Sequence, residues 1–461
     1  MTLGGHGDAG RGFLARIRHD VEVQPRRWGV GLRRVAAALI ALAVGAGLAG
    51  ACARPGLSAP PEPEFTHGRP PVTTVPASST LSPVVPEAPA LEAVEPDVTV
   101  PDSTLAPTPV ADVEEMLIID DAGNILPNAS GWKLFDDAVA ARLIPADVAV
   151  SVAVMIDGAL VHQAAFGERI AGSGEAVDVA DRFRIASISK VITAIVVMRL
   201  VEQGVVSLDQ PVGQILADHL LLPAYTPEAA GITVRQLLSH TSGFPKHQNT
   251  FFGGGAVSYA DAVRVGLTSG IGATTYTYSN MNFAALSVLI EAVTGLTYET
   301  VVAEQLFGPL GLVGMRLTGT YDLGPDEVSH HPAAGRNYME ALGGAGAWNA
   351  TPADVVTIIN SIDPATPGWK ALSPDSMATM RYTVPTGLPP DGYGLGIINY
   401  PGDAWGHTGT IEHAHSMVLV QPDGVTWAIS VSGETPGDTE ALRSIVGSAM
   451  ASAFPRGGRV G

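Results

Sequence analysis

Ser187 and Lys190 stand three residues apart in the run Arg184-Ile185-Ala186-Ser187-Ile188-Ser189-Lys190-Val191. On a helix, residues at i and i+3 share a face. A lysine enclosed by apolar neighbours loses much of its preference for the ammonium form. Lys190 can then take a proton from Ser187 and leave it a nucleophile. A lysine set in an apolar helix rarely occurs without a partner; read without one, the pattern is a helix cap followed by an exposed lysine. A second group is Tyr276-Thr277-Tyr278-Ser279-Asn280. Tyr278 and Asn280 are two apart, so on extended backbone they point the same way. The phenol can share proton transfer with Lys190, and the amide can orient Lys190 or a substrate amide. In isolation the two are a loop tyrosine and a helix N-cap. A third group is Trp405-Gly406-His407-Thr408-Gly409-Thr410. Gly409 permits close backbone approach, and a strand edge beside it can hold an extended substrate by main-chain bonds. The plainer alternative is an edge strand with a glycine bulge.

These residues need elements to hold them. The apolar stretch after Ser187 ends at Gly204 and has Ile188, Val191, Ile192, Ile195, Val196 and Met198 around its axis, which predicts a buried helix. Another apolar helix is predicted over Phe283–Val293. A helix over Trp132, Phe135, Val139 and Leu143 precedes two apolar runs, Val148–Ile156 and Ala159–Phe166, around Asp157-Gly158. Such runs about Asp-Gly predict a β-hairpin. Ser416–Gln421 and Val425–Ser432 predict a second hairpin, followed by a helix carrying Leu442, Ile445, Val446, Met450 and Phe454. Residues 187–362 read as helices and long loops. Strands at both ends of a helical middle predict an α/β fold, one antiparallel sheet completed by both ends of the domain, flanked by helices and carrying an inserted helical subdomain.

The chain is 461 residues long, with charged residues at 15% and a formal net charge of -19. An acidic balance excludes nucleic acid as a partner, because phosphate binding needs a basic face. The single cysteine excludes a disulfide scaffold and any multi-cysteine metal site. The chain divides into three pieces. Residues 1–53 hold an arginine-rich lead and an uncharged run from Val35 to Ala53, the pattern of an export signal or membrane anchor. The positive lead stays cytoplasmic, so the remainder is expected to be extracytoplasmic. Residues 54–111 are rich in Pro, Ser, Thr and Val, and predict a disordered spacer with a reach of roughly 100 Å. Residues 112–461 are globular in composition and hold nearly all the net negative charge.

Taken in order, Ser187-x-x-Lys190, Tyr278-x-Asn280 and His407-Thr408-Gly409 resemble the motifs of the serine β-lactamase and DD-peptidase superfamily, in particular its class C β-lactamase, DD-carboxypeptidase and esterase branch. Phe183–Lys190, Leu237–Gly243 and Leu306–Leu312 also look like family segments, and the likeness spans roughly Phe135 to Phe454. The resemblance implies a β-lactamase/transpeptidase-like fold and acyl transfer without a cofactor or metal. It makes Ser187 the nucleophile, with Lys190 and Tyr278 handling its proton. Asn280, His407, Thr408, Gly409 and Thr410 would bind substrate, with the Ser187 and Thr410 N–H groups as oxyanion donors. Leu48-Ala49-Gly50-Ala51-Cys52 resembles a bacterial lipobox, with Ala49 where leucine is usual, and implies lipidation of Cys52; the alternative is an uncleaved anchor.

Three departures bear on substrate. His407 stands where class C β-lactamases carry lysine, and a histidine is charged only part of the time near neutral pH, which weakens carboxylate recognition. No Glu-x-x-Leu-Asn stretch supplies a class A deacylation base. Ile411-Glu412-His413-Ala414-His415 replaces a glycine and an aromatic found in relatives. His413 and His415, with His330-His331, raise a metal alternative that no ligand spacing supports, and no Gly-x-Ser-x-Gly nucleophile elbow is present. The expectation is an envelope-tethered serine hydrolase of DD-carboxypeptidase-like or esterase-like activity, acting on a small molecule or peptidoglycan peptide. A β-lactamase, or a non-catalytic sensor of cell-wall ligands, is the alternative.

Overall fold

The structure is a computed structural model. It describes residues 116–119, 125–144, 149–330, 337–382, 392–434, 436 and 439–454, all within one compact unit. The expected anchor, Cys52 and the whole spacer lie outside the described residues.

The helix around Trp132 forms as α1, Ala129–Leu143. Asn128 caps it by accepting a hydrogen bond from Gly131 N at 3.1 Å. Trp132, Phe135, Val139 and Leu143 fall on one face and are all buried. A short strand pair, β1 (Leu117–Ile119) and β2 (Ile125–Pro127), precedes it. The first hairpin is β3 (Ala149–Ile156) with β4 (Ala159–Phe166). At its turn Asp157 and Gly158 both adopt positive φ, 46° and 80°, as a type I′ turn requires.

The chain closes the main sheet at its far end. Strands β8 (Ile398–Asn399), β9 (Trp405–Ile411), β10 (Ala414–Val420) and β11 (Val425–Ser432) join the first hairpin in the antiparallel order β4-β3-β11-β10-β9-β8. The seam between the two ends of the domain is β3 on β11, from Val425 opposite Ile156 to Ser432 opposite Ala149. Side chains alternate across it. Val150, Val152, Val154 and Ile156 face α1 and the C-terminal helix α5, Ala441–Ala453. Ala153 and Met155 face the opposite layer.

That opposite layer is the helical insert, as the sequence led one to expect. Its principal helices are α2 (Ser189–Glu202), α3 (Asn280–Thr294) and α4 (Pro352–Asn360). Eleven of the fourteen residues of α2 are buried, so its core surrounds it rather than lying along one stripe. A small sheet of order β5-β7-β6 is made of β5 (Phe183–Arg184), β6 (Arg316–Leu317) and β7 (Trp348–Ala350), and β5 immediately precedes the Ser187 turn in the chain. The fold is thus the α/β arrangement anticipated, with Ser187 at the junction of sheet and insert.

Candidate functional site

Ser187 sits in a single 3₁₀ turn, Ala186–Ile188, that feeds directly into α2. It was expected at the helix N-terminus, and the turn places it just outside. Ala186 before it has φ 46°, a left-handed conformation that costs a non-glycine residue roughly 1–2 kcal/mol. The turn is held from both sides. Ile185 N donates to Trp348 O at 3.2 Å, and Ser416 Oγ on β10 donates to Ile185 O at 2.8 Å.

Lys190, the second residue of α2, is wholly buried. Its Nζ lies 2.9 Å from Ser187 Oγ, 2.8 Å from Asn280 Oδ1 and 2.7 Å from Ala345 O. The last two can only accept, so they consume two N–H groups. The third position faces Ser187. There an ammonium would donate, whereas a neutral amine would offer its lone pair to the serine proton. Burial lowers the Lys190 pKa well below the ordinary lysine value, and so favours the amine. Desolvation and geometry together equip Lys190 to accept the proton of Ser187.

Asn280 is the first residue of α3, and the N-cap is its neighbour Ser279, whose side chain accepts from Met281 N. Tyr278 precedes the cap. The ring of Tyr278 lies 4.9 Å from Lys190 Nζ. The Tyr278 hydroxyl is enclosed. Burial raises its pKa above the ordinary phenol value, against a smaller downward pull from Ser187. At neutral pH it is therefore an intact phenol, a proton donor rather than a phenolate base.

The third side is β9. Gln421 N donates to Val425 O at 2.9 Å, which sets the alternation of hydrogen-bonded pairs along β10. Ala414, Ser416 and Val418 then bond toward β9, and their partners Ile411, Gly409 and His407 bond back. The N–H and C=O of Thr410 and Thr408 are left facing the outer edge, where β8 pairs only as far as Gly406. Gly409 lies against the Ser187 turn. A Cβ there would be 2.4 Å from Ile185 O and 3.0 Å from Ser187 N. The absent side chain is what lets β9 pack against the Ser187 turn at Gly409.

An open cavity lies at this junction, lined in part by Ser187, Tyr278, Asn280 and Thr410. Phe252, Leu342 and Ile411 make its wall partly apolar. Among the described residues lining it, Lys246 is the one charged side chain. The sequence reading had missed Lys246, Gln248 and Ala345. Ala345 had one signal, the glycines around it: a Cβ on Gly344 would meet Ser287 Oγ at 2.4 Å and Thr193 Oγ1 at 2.6 Å.

His407 requires a correction. Its ring is fully buried and does not line the cavity. Nδ1 lies 2.5 Å from Thr408 O, and Nε2 lies 3.0 Å from Tyr393 Oη. Burial, reinforced by nearby Lys190, pushes its pKa down to about 3. The expected partly charged histidine is a neutral one, so it presents no charge to a substrate carboxylate. Thr408 is buried beside it. Glu412 and His413 form the turn between β9 and β10, and His413 Nδ1 pairs with Glu434 at 2.7 Å. His330 and His415 are buried, and His331 lies outside the described residues.

Known proteins resemble this chain in sequence and fold. The family model described as Beta-lactamase matches residues 136–449. Penicillin-binding protein 4 of Amycolatopsis lactamdurans is 30% identical over 329 residues, covering 64% of this chain and 84% of that protein. The D-alanyl-D-alanine-carboxypeptidase/endopeptidase AmpH of Escherichia coli is 27% identical over 223 residues, covering 44% of this chain and 54% of the other. The crystal structure of a D-stereospecific amidohydrolase from Streptomyces sp. superposes with a TM-score of 0.54 at 25% identity, covering 71% and 98% of the two chains.

Proposed function

The chain belongs to the β-lactamase family and is a serine hydrolase, and from that premise we propose that it cleaves an amide bond through an acyl-enzyme on Ser187, in the manner of a DD-carboxypeptidase. The contact of Lys190 Nζ with Ser187 Oγ at 2.9 Å, made by a wholly buried lysine, carries this reading. Ser187 Oγ attacks the substrate carbonyl as its proton passes to Lys190. The oxyanion that forms is held by the N–H groups of Ser187 and Thr410; one such donor contributes about 10²–10³ in rate. Collapse breaks the C–N bond. The leaving amine takes a proton from the Tyr278 phenol, which is replenished from Lys190. Water then attacks the acyl group on Ser187, and the carboxylic acid leaves with the serine restored. Asn280 holds Lys190 in register throughout. The open edge at Thr410 offers main-chain bonds to an extended substrate. Relatives named for D-alanyl-D-alanine and D-stereospecific substrates support a short peptide with D-residues at the scissile bond.

A second reading, an ester substrate, draws on one observation. His407 is neutral, so a carboxylate anchor in that place is missing, while Phe252, Leu342 and Ile411 suit an apolar acyl group. If a carboxylate is bound, Lys246 is the cation that it meets.

We further propose that the enzyme is tethered outside the membrane through Cys52, on the strength of its basic lead, uncharged run and lipobox-like ending. Metabolic labelling with an alkyne fatty acid should tag the wild-type chain and not Cys52→Ala; equal labelling of both would rule the site out. For activity, hydrolysis of a D-Ala-D-Ala peptide, a short acyl ester and a chromogenic cephalosporin should be compared between wild type and Ser187→Ala. Turnover of the peptide by wild type alone is expected. Cephalosporin turnover alone would replace the proposal with a β-lactamase, and no turnover with no acylation would leave a binding protein.

A further inference from the structure

The segment Leu238-Ser239-His240-Thr241-Ser242-Gly243 was noticed in the sequence but had no role there. In the structure, His240 is enclosed directly beside the reacting groups, with 1% of its surface exposed. Its backbone is left-handed at φ 57°, a region in which histidine is enriched among non-glycine residues. That conformation turns its carbonyl toward the Tyr278 segment, where it accepts from Thr277 N at 2.8 Å. The imidazole Nδ1 accepts from Ser279 N at 3.2 Å and lies 2.9 Å from Asn282 Nδ2. The Asn282 amide is itself oriented, because Ser242 Oγ donates to its Oδ1 at 2.5 Å. The ring packs on Tyr278 with centroids 4.2 Å apart, and against Tyr393 at 4.7 Å. Tyr393 is the residue whose hydroxyl meets His407 on β9.

We infer that His240 is a positioning residue for the acyl-transfer chemistry: it clamps Thr277–Asn282 by three acceptor contacts and one ring face, and so sets Tyr278 and Asn280 against Lys190. The inference rests on the function proposed above. Both groups meeting Nδ1 are donors, so Nδ1 must carry the lone pair and Nε2 the proton. Protonating Nδ1 would set three donors against one another. Burial keeps the ring neutral. The carbonyl contact is common to any residue, but no other side chain supplies the two Nδ1 contacts and the ring face together. Asparagine accepts and tolerates left-handed backbone, but has no ring to fill the space between Tyr278 and Tyr393. Phenylalanine fills the space and accepts nothing.

Two variants and one spectrum test the clamp. In His240→Phe the ring contact stays and the acceptor is lost. Labelling of Ser187 by a fluorophosphonate probe should slow by about 10²-fold or more, the scale of positioned proton transfer. Its apparent binding constant should stay within about threefold, since the loss is in the reacting step. In His240→Asn the acceptor returns, and at least a tenth of the wild-type labelling rate should be recovered. Nitrogen-15 NMR of the wild-type imidazole should show Nδ1 unprotonated and Nε2 protonated, a readout that needs no variant to fold. A protonated Nδ1 overturns the clamp, and so does His240→Phe labelling at the wild-type rate. His240→Asn no faster than His240→Phe also overturns it. Failure of the wild-type chain to label sinks the proposed function and this inference with it, whereas normal wild-type labelling with an indifferent His240→Phe sinks this inference alone.

Discussion

Adding one methyl group at position 409 tests how the oxyanion donors are brought together. An alanine Cβ there would lie 2.4 Å from Ile185 O, 2.5 Å from Ser416 Oγ and 3.0 Å from Ser187 N. Ordinary carbon contacts are near ~3.5 Å, so about 1 Å of separation must open between β9 and the Ser187 turn. Neither side yields easily. β9 is registered against β10 over seven residue pairs, and Ile185 is bonded to both Trp348 and Ser416. Overpacking of this kind costs about 1–3 kcal/mol of stability. The functional loss should be larger in proportion, because the 1 Å opens beside Ser187 N, between the nucleophile turn and β9. A misplacement of ~1 Å costs about 10²-fold in rate. Gly409→Ala should therefore lower kcat/KM, and the rate of Ser187 labelling, about 10²-fold while the protein remains folded by circular dichroism, with a Tm a few degrees lower. Rates within about threefold of wild type, with Tm unchanged, would refute the close approach of β9 to the nucleophile turn.

Other changes have equally specific outcomes. The labelling rate of the wild type should fall as pH drops through the depressed Lys190 pKa, and Lys190→Met should lose about 10²–10⁴ of the rate; a limb at an unshifted lysine pKa in the pH–rate profile would contradict this. His407 titrates near 6.5 when unfolded and at about 3 in the fold because burial disfavours its charged form. Below pH ~6.5 the unfolded chain takes a proton that the fold refuses. Stability contributed by this residue is thus complete above that pH and is lost down to about 3, on the order of 4–5 kcal/mol. Urea melts at pH 7 and pH 4.5 should show the decline, and His407→Asn should flatten it. Lys246→Ala should reduce kcat/KM for a peptide with a free carboxylate by roughly fivefold while sparing its neutral amide; equal loss on both would remove Lys246 from substrate recognition.

Much of the site was legible because it rests on local spacing. Ser187 and Lys190 fall on one turn of chain, and the apolar residues around Lys190 already implied its burial. The two hairpins and flanking helices were legible from alternation, turn residues and helical spacing. What was hidden depends on groups far apart in sequence or on backbone alone. Ala345 O contacts Lys190 from 155 residues away, and a carbonyl leaves no mark in a sequence. The left-handed backbone at Ala186 has no residue-type signal, since alanine seldom adopts it. The charge of His407 was misjudged because a strand's burial depends on what later packs against it, here Tyr393 and the Lys190 layer. His240 had no role legible in its family-like segment because its partners, Ser279 and Asn282, belong to the start of another helix.

The central claim is that Ser187 becomes acylated with Lys190 as its proton acceptor. Peptide-mapping mass spectrometry after brief exposure to a penicillin or a fluorophosphonate reads this directly. One adduct is expected, on the peptide bearing Ser187, formed by the wild type, nearly abolished in Lys190→Met and absent in Ser187→Ala. An adduct on any other residue, or an unmodified Ser187 in a folded wild-type protein, would contradict it.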